Sequence, residues 1–236
     1  MAAVSTSGLL HLAKACLLIG FGFLASPTDA DIAPKTGNTP PRSAVIPLEI
    51  PLTRRIDGRN AHVHEDCTGT LVDSEPGLII TAWHCFDGSL DLTRPPRAYI
   101  GGAWIDLRLG ASGGDMSEDW ALVYIAHPSL PRAETLSLSF ESQQIGDAVT
   151  MLGYSRPRRT DGSDSRSLIK DRCVVTGHTP PWVQTNCQLG EGSSGGAVVE
   201  GDDTGGPLVG IISAQKKGAG VLYVPLTQLR YRLSPP

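Results

Sequence analysis

Residues 192–197 read Gly-Ser-Ser-Gly-Gly-Ala, and this stretch bears most directly on the fold. Glycines on both sides of Ser194 let the backbone turn tightly and leave N–H groups pointing into open space. That arrangement suits an exposed nucleophilic serine beside N–H groups that stabilise an oxyanion. The stretch also satisfies Gly-x-Ser-x-Gly, the signature of the nucleophile elbow in lipases and esterases. A Gly/Ser stretch alone is usually only a turn, so its interpretation depends on the rest of the chain.

The positions of the histidines exclude the lipase and esterase fold. That fold orders its catalytic groups as serine, acid and histidine. The last histidine of this chain, His178, precedes Ser194, so no histidine follows the serine. A nucleophilic serine here therefore needs a histidine and an acid from earlier in the chain.

Two earlier stretches supply these groups. Residues 81–85 read Thr-Ala-Trp-His-Cys after an apolar strand, so the strand and a neighbouring disulfide would fix the ring of His84, as a general base requires. Residues 119–122 read Asp-Trp-Ala-Leu and place Asp119 directly before the start of another apolar strand. A carboxylate in that position can hold one tautomer of an imidazole.

The candidate groups follow the order His84, Asp119 and Ser194 along the chain. In the subtilisin order the aspartate comes before the histidine, whereas the chymotrypsin order is histidine, aspartate, serine. Asp115 and Glu118 lie close to Asp119 in sequence and are rival candidates for the acid.

Short β-branched or alternating runs recur between Gly, Pro and Asp turns, and no helices alternate with them, which favours barrels or sandwiches over an α/β sheet. The only plausible helix is Thr227–Leu233, with Thr227 as its cap. We expect strands at residues 67–72, 77–82, 97–109, 120–126 and 136–140 in a first series, and at 147–154, 173–177, 183–189, 197–200, 207–214 and 221–226 in a second.

Composition narrows the class of protein. The chain has 236 residues and a formal net charge of −4, without the basic excess that binding to a phosphate backbone requires. We therefore expect no nucleic-acid partner. Gly and Pro together make up about 19% of the chain, which indicates many turns and few helices.

The N-terminal residues have the layout of a signal peptide. An apolar run at residues 15–25 follows Lys14 and precedes Thr-Asp-Ala, which predicts cleavage after Ala30. The run is too short to span a bilayer, so we expect no stable membrane insertion. A retained surface anchor is less favoured because the segment lacks a charged amphipathic face. We predict a signal peptide at residues 1–30, a flexible lead-in or short pro-segment at 31–42, and a secreted or periplasmic protein.

Removal of the signal peptide leaves an even number of cysteines. Cys16 goes with it, and an exported chain with four cysteines suits a disulfide framework. Three pairings are possible, and we favour the two that are local in sequence. The favoured pairs are Cys67 with Cys85 and Cys173 with Cys187.

Together, the three stretches resemble the His, Asp and Ser blocks of the trypsin/chymotrypsin-like serine peptidases, and the resemblance extends from about Cys67 to the C-terminus. It implies an all-β, chymotrypsin-like fold of two antiparallel six-stranded β-barrels with a short C-terminal helix and an active site between the barrels. We place the first barrel at residues 43–140 and the second at 141–236. Ser193 stands where trypsin-like zymogens carry an aspartate, so the secreted bacterial members similar to glutamyl endopeptidases are the closer likeness.

The resemblance implies a role for each site residue. Ser194 would be the nucleophile that forms an acyl-enzyme, His84 the base, and Asp119 the group that orients His84. The N–H groups of Gly192 and Ser194 would form the oxyanion hole. The expected function is a secreted, monomeric serine endopeptidase that needs no cofactor and acts on peptides or proteins. The alternative is a catalytically silent member that serves as a binding module.

The resemblance also implies a specificity pocket. Gln188 occupies the position that holds an aspartate in peptidases that cut after Lys or Arg. Ser213 matches the serine that supports the aspartate in this family and precedes the pocket wall, and we place Ser213, Ala214 and Gln215 in the pocket. Ile212 departs from the histidine of glutamyl endopeptidases, so a preference for acidic residues depends on Gln215 and the two lysines that follow it.

A metal site is not expected. His62 and His64 are two positions apart, and alternation on a strand would place them on one face. A zinc site needs three or four ligands, however, and the nearby Cys67 is better used in a disulfide. His127 and His178 have no partner in the sequence, and we expect both on the surface.

Overall fold

The computed structural model describes residues 44–87, 90–126, 134–156, 166–202, 205–216 and 220–233. All of them belong to the compact unit Asn38–Pro236. The predicted signal peptide and lead-in, and His127, lie outside the described residues.

The first half of the described chain forms a closed antiparallel barrel with the strand order β1-β2-β3-β6-β5-β4. Residues such as Leu48, Leu71 and Ile79 alternate into its interior and are fully buried. The strands are β1 (Val45–Ile56), β2 (Arg59–Asp73), β3 (Leu78–Thr81), β4 (Arg97–Ile100), β5 (Ala103–Ser112) and β6 (Ala121–Ile125).

The second half forms another closed antiparallel barrel with the order β10-β11-β12-β9-β8-β7. Met151, Val198 and Tyr223 lie in its core. The strands are β7 (Ala148–Ser155), β8 (Ser167–Thr179), β9 (Trp182–Thr185), β10 (Ala197–Glu200), β11 (Leu208–Lys216) and β12 (Gly220–Pro225). Two six-stranded barrels and a short C-terminal helix confirm the predicted fold class.

Apolar residues of both barrels share one buried cluster. Ile80 and Trp120 come from the first barrel, and Leu152 and Leu208 from the second. Leu229, at the end of the chain, packs in the same cluster. Burial of this shared apolar surface fixes the two barrels against each other.

Strand β1 is absent from the predicted strands because Pro47 and Pro51 interrupt its apolar pattern, and proline is disfavoured inside sheets. The strand forms nevertheless, since Leu48, Ile50 and Leu52 between and beyond the prolines are buried in the first barrel. Packing of these side chains outweighs the local propensity.

Several other element predictions need correction. Strands β2 and β8 begin earlier than predicted, at Arg59 and Ser167, and the predicted strand 183–189 ends at Thr185. The predicted strand 97–109 is two strands, because Gly101 and Gly102 adopt positive φ angles of 60° and 89° and make a turn. Residues 136–140 form no strand, and their β-pairing is an isolated bridge from Leu138 to Leu208. The predicted terminal helix is a 3-10 turn at Leu226–Leu229 followed by α1 (Arg230–Leu233), and Thr227 does not cap it.

Both favoured disulfides are present. Cys67 on β2 is bonded to Cys85, and Cys173 on β8 is bonded to Cys187. Within the described residues, no helix is both long and apolar enough to cross a membrane.

Candidate active site

His84 lies on a 3-10 turn, Trp83–Phe86, directly after β3. Its neighbour Cys85 is tied to β2 by the disulfide to Cys67, so the turn is held from both sides. The His84 side chain is about a quarter exposed, at 26%. The ring is therefore fixed in place but open to a ligand on one side.

Asp119 has no exposed area and binds His84 through three contacts. The backbone N–H of His84 donates to Asp119 Oδ1 at 2.8 Å. His84 Nδ1 lies 3.1 Å from Oδ1 and 2.9 Å from Oδ2. Because an ionised carboxylate only accepts, Nδ1 carries the proton in the neutral ring and Nε2 is left as the basic nitrogen.

Ser213 on β11 completes this network. Its hydroxyl donates to Asp119 Oδ2, and the serine itself is buried. Burial of Asp119 disfavours its charged form, but the hydrogen bond and positive potential of His84 and the hydrogen bond of Ser213 outweigh that effect and lower its pKa. Asp119 is therefore ionised at neutral pH.

The two rival acids have other contacts. Asp115 accepts hydrogen bonds from the N–H groups of Ser117 and Glu118 and begins a 3-10 turn. Glu118 is exposed. Neither has a hydrogen bond or ion pair to His84 among the described residues, which leaves Asp119 as the partner.

Ser194 lies in the nucleophile loop, residues 190–196, which directly precedes β10. This loop packs closely on the first barrel. A Cβ at Gly195 would lie 2.1 Å from Thr81 Oγ1 and 2.3 Å from the Thr68 carbonyl oxygen, so only glycine fits there. The N–H of Thr68 donates to the Ser194 carbonyl at 2.8 Å. The loop is thus seated on the strand ends that carry His84.

The N–H groups in the nucleophile loop fall into two sets. Ser193, Gly195 and Gly196 all donate to backbone carbonyls. Gly192 and Ser194 donate to no described residue. Gly192 holds a φ of 93°, a conformation that favours glycine. The two uncommitted N–H groups are those expected for the oxyanion hole.

Ser194 Oγ makes no hydrogen bond to the imidazole of His84 in the described part of the chain. In serine enzymes without substrate this contact is often long and tightens only in the substrate complex.

The family comparison agrees with this geometry. A model of the trypsin-like peptidase domain matches residues 67–211, more than half of the chain. The chain belongs to the trypsin-like peptidase domain family. None of the curated proteins matches the sequence. Membership of a peptidase family implies peptides or proteins as substrates.

In this trypsin-like peptidase domain a cavity of about 170 Å³ lies beside Ser194. Its walls come from the nucleophile loop, from the end of β11 and from β12. The lining residues are Leu189, Gly190, Glu191, Ser193, Ser194, Ile212, Ser213, Ala214, Gln215 and Val221.

Three of the four predicted pocket residues line that cavity, and Gln188 does not. Gln188 is exposed, and its backbone N–H donates to Asp171 Oδ2 at 2.6 Å. Its side chain accepts from Gln215 Nε2 at 3.2 Å. The buried Leu189 takes the place on the wall instead.

The histidines of β2 bind separate acids. His62 Nδ1 lies 2.7 Å from Asp91, and His64 Nε2 lies 3.9 Å from Asp66. No group of three or more metal-binding side chains occurs within the described ranges. His178 is exposed, as expected.

Thr68 is a residue of the site that the sequence motifs do not indicate. It lies on β2, yet it binds the nucleophile loop 124 positions later in the chain. Its position directly after Cys67 is the only signal in the sequence, and that signal says nothing about the partner.

Proposed function

We propose that the protein is a secreted serine endopeptidase that uses Ser194, His84 and Asp119. The observation that carries the proposal is the bonded series from Ser213 through Asp119 to His84, with the nucleophile loop seated against the same strand ends. Each residue has the chemistry that peptide-bond hydrolysis requires.

Acylation begins when Ser194 Oγ attacks the carbonyl carbon of the scissile bond and His84 Nε2 takes the hydroxyl proton. The negative charge that develops on the carbonyl oxygen is stabilised by the N–H groups of Gly192 and Ser194. His84 then gives its proton to the leaving amine as the C–N bond breaks. Asp119 remains ionised and stabilises the imidazolium.

Deacylation repeats these steps with water. His84 takes a proton from the water molecule, whose oxygen attacks the acyl carbon, and then returns the proton to Ser194 Oγ. The acid product leaves, and the free serine is regenerated.

We further propose that the residue before the cleaved bond is uncharged and apolar. Leu189, Ile212 and Val221 supply apolar parts of the cavity wall, and the polar residues Ser193, Ser213 and Gln215 on the wall carry no charge. Glu191, on the exposed rim, is the only charged residue among the described residues that line it. A carboxylate in the cavity would be repelled by Glu191. This differs from the acidic preference of glutamyl endopeptidases.

Export is supported by the N-terminal apolar run and by the two disulfides, because disulfides persist in oxidising compartments.

Labelling by a fluorophosphonate probe tests the catalytic proposal. The wild-type protein, expressed with its signal sequence and purified after export, is expected to be labelled at Ser194 and to hydrolyse casein. Ser194→Ala is expected to lose both while unfolding at the same denaturant midpoint. A folded wild-type protein that takes up no label would instead support the silent binding module.

A panel of peptides that differ only in the residue before the cleaved bond tests the specificity. We expect higher kcat/KM for Leu, Val or Met than for Glu, Asp, Lys or Arg. Glu191→Gln is the control for the rim charge and is expected to improve cleavage after Glu relative to Leu. Fastest cleavage after Glu by the wild-type protein would contradict the proposal.

A further inference from the structure

Thr68 uses all of its polar atoms in hydrogen bonds to the site. Its side chain is fully buried on β2, and its Oγ1 donates to the Gly192 carbonyl at 2.7 Å. The same oxygen accepts from the N–H of Tyr154 at 2.9 Å. Its backbone N–H donates to the Ser194 carbonyl at 2.8 Å, and its carbonyl accepts from Thr81 Oγ1 at 2.7 Å. Thr68 of the first barrel thus binds the nucleophile loop on both sides of Ser193.

These contacts bear on the oxyanion hole through the peptide between Gly192 and Ser193. Its oxygen accepts from Thr68, and its N–H donates to the Gly190 carbonyl at 3.3 Å. The two uncommitted N–H groups, those of Gly192 and Ser194, belong to the peptides on either side. Fixing the central peptide therefore limits the directions that both donors can take.

The loop needs such a restraint from outside. Gly192 has the widest backbone freedom of any residue, so its own geometry does not hold the peptide in one orientation. Ser193 supplies a restraint from within the loop, because its Oγ donates to the Gly190 carbonyl at 2.7 Å. Thr68 supplies one from the opposite barrel.

The place of Thr68 on β2 also relates the loop to the base. Cys67, the preceding residue, is bonded to Cys85, which follows His84. Thr81, whose hydroxyl binds the Thr68 carbonyl, lies three positions before His84. Thr68 and its neighbour Cys67 therefore contact both the segment that carries the base and the loop that carries the nucleophile.

We propose that the Thr68 hydroxyl is a positioning group that holds the oxyanion hole in its working geometry from across the barrel interface. This inference rests on the proposed serine peptidase function. It predicts that removal of the hydroxyl weakens binding of the transition state more than binding of the substrate.

Three variants test it. Thr68→Val keeps the shape and the backbone N–H but removes the hydroxyl, and Thr68→Ser keeps the hydroxyl. Thr70→Val is the matched control, since Thr70 is also buried on β2 and its Oγ1 has no hydrogen-bond partner among the described residues. We expect Thr68→Val to lower kcat by about 10- to 100-fold, because small misplacements of reacting groups have effects of that size. KM should change little, and the other two variants should resemble the wild type.

The affinity of a transition-state analogue separates positioning from stability. A peptide boronic acid should lose affinity for Thr68→Val in proportion to kcat/KM, measured at a temperature at which every variant is folded. A loss of folding stability alone would leave this affinity unchanged. If Thr68→Val does not fold, Thr68→Ala and Thr68→Ser replace it, since that pair differs only in the hydroxyl.

Two results would be unfavourable, and they are distinguishable. A folded Thr68→Val, or Thr68→Ala in its place, with the kcat and boronate affinity of Thr70→Val would overturn the role of Thr68. A wild-type protein that does not react with the fluorophosphonate would overturn the proposed function instead.

Discussion

Asp119 is an ionised carboxylate with no exposed area, a situation that costs free energy unless donors surround the charge. It accepts from the backbone N–H and ring of His84 and from the hydroxyl of Ser213. Ser213 therefore compensates part of the burial of Asp119.

Ser213→Ala should raise the pKa of Asp119, because a donor that lowers it is lost. A lowered pKa in the folded state gives stability that is present at neutral pH and is lost as the pH falls through that pKa. In the variant this loss should be smaller and should be complete at a higher pH, because the pKa of Asp119 in the folded state lies closer to that in the unfolded chain. At neutral pH we expect the free energy of unfolding to fall by about 1.5 to 3 kcal/mol, the contribution of a hydrogen bond to a charged group.

Urea unfolding of both proteins from neutral to acidic pH measures this difference. Equal free energies of unfolding at every pH would show that Ser213 does not support the charge of Asp119.

At the scale of the element, the nucleophile loop depends on the absence of a side chain at Gly195. Gly195→Ala combines a φ of 79° with contacts of 2.1 and 2.3 Å to atoms of Thr81 and Thr68. Gly201→Ala is a matched control, since Gly201 has a φ of 86° but nothing within 4 Å of an added Cβ. In the control, the free energy of unfolding should fall only by the cost of placing a side chain in the left-handed conformation, about 1 to 2 kcal/mol.

Gly195→Ala should lose more stability than the control and nearly all fluorophosphonate labelling, because the loop can no longer seat against β2 and β3. Labelling kinetics and urea unfolding of the two variants check this expectation. Normal labelling of Gly195→Ala would mean that the loop tolerates displacement from the first barrel.

The elements show how far local sequence predicts this structure. The sequence is enough to select the candidate site residues in 81–85, 119–122 and 192–197, because each candidate side chain and its characteristic neighbours lie within a few positions of each other. Strand β1 is missed because burial in the closed barrel, rather than its proline-interrupted pattern, makes it a strand. The contact of Thr68 with Gly192 is missed because it exists only after both barrels have closed and packed together.

At the scale of the whole molecule, charged contacts cross between the barrels. Asp66 on β2 lies 2.5 Å from Arg156 and 3.4 Å from Arg166. Arg166 also donates to the Leu48 carbonyl at 2.7 Å and is mostly buried, with 12% of its side chain exposed. Because Arg156 is 41% exposed, solvent screens its pairing, and the contact with Arg166 carries more of the energy.

Asp66→Asn should destabilise the protein by about 1 to 3 kcal/mol, because it removes the carboxylate that is paired with the mostly buried Arg166. The double variant Asp66→Asn/Arg166→Met removes that charge as well and should recover part of the loss. Free energies of unfolding for the wild type, both single variants and the double variant give the coupling. A coupling near zero would show that the pair does not hold the barrels together.

The two disulfides make the site dependent on where the chain folds. Cys85 follows His84 directly, and Cys187 precedes Leu189 on the cavity wall by two positions. In a reducing cytoplasm both pairs of cysteines stay reduced. Neither the segment with His84 nor the cavity wall is then held in place by a disulfide. The producing cell would then be protected from its own enzyme during synthesis, since proteolysis would begin only where oxidation completes the site. Newly made, reduced protein should accordingly be unreactive toward the fluorophosphonate until an oxidant is added.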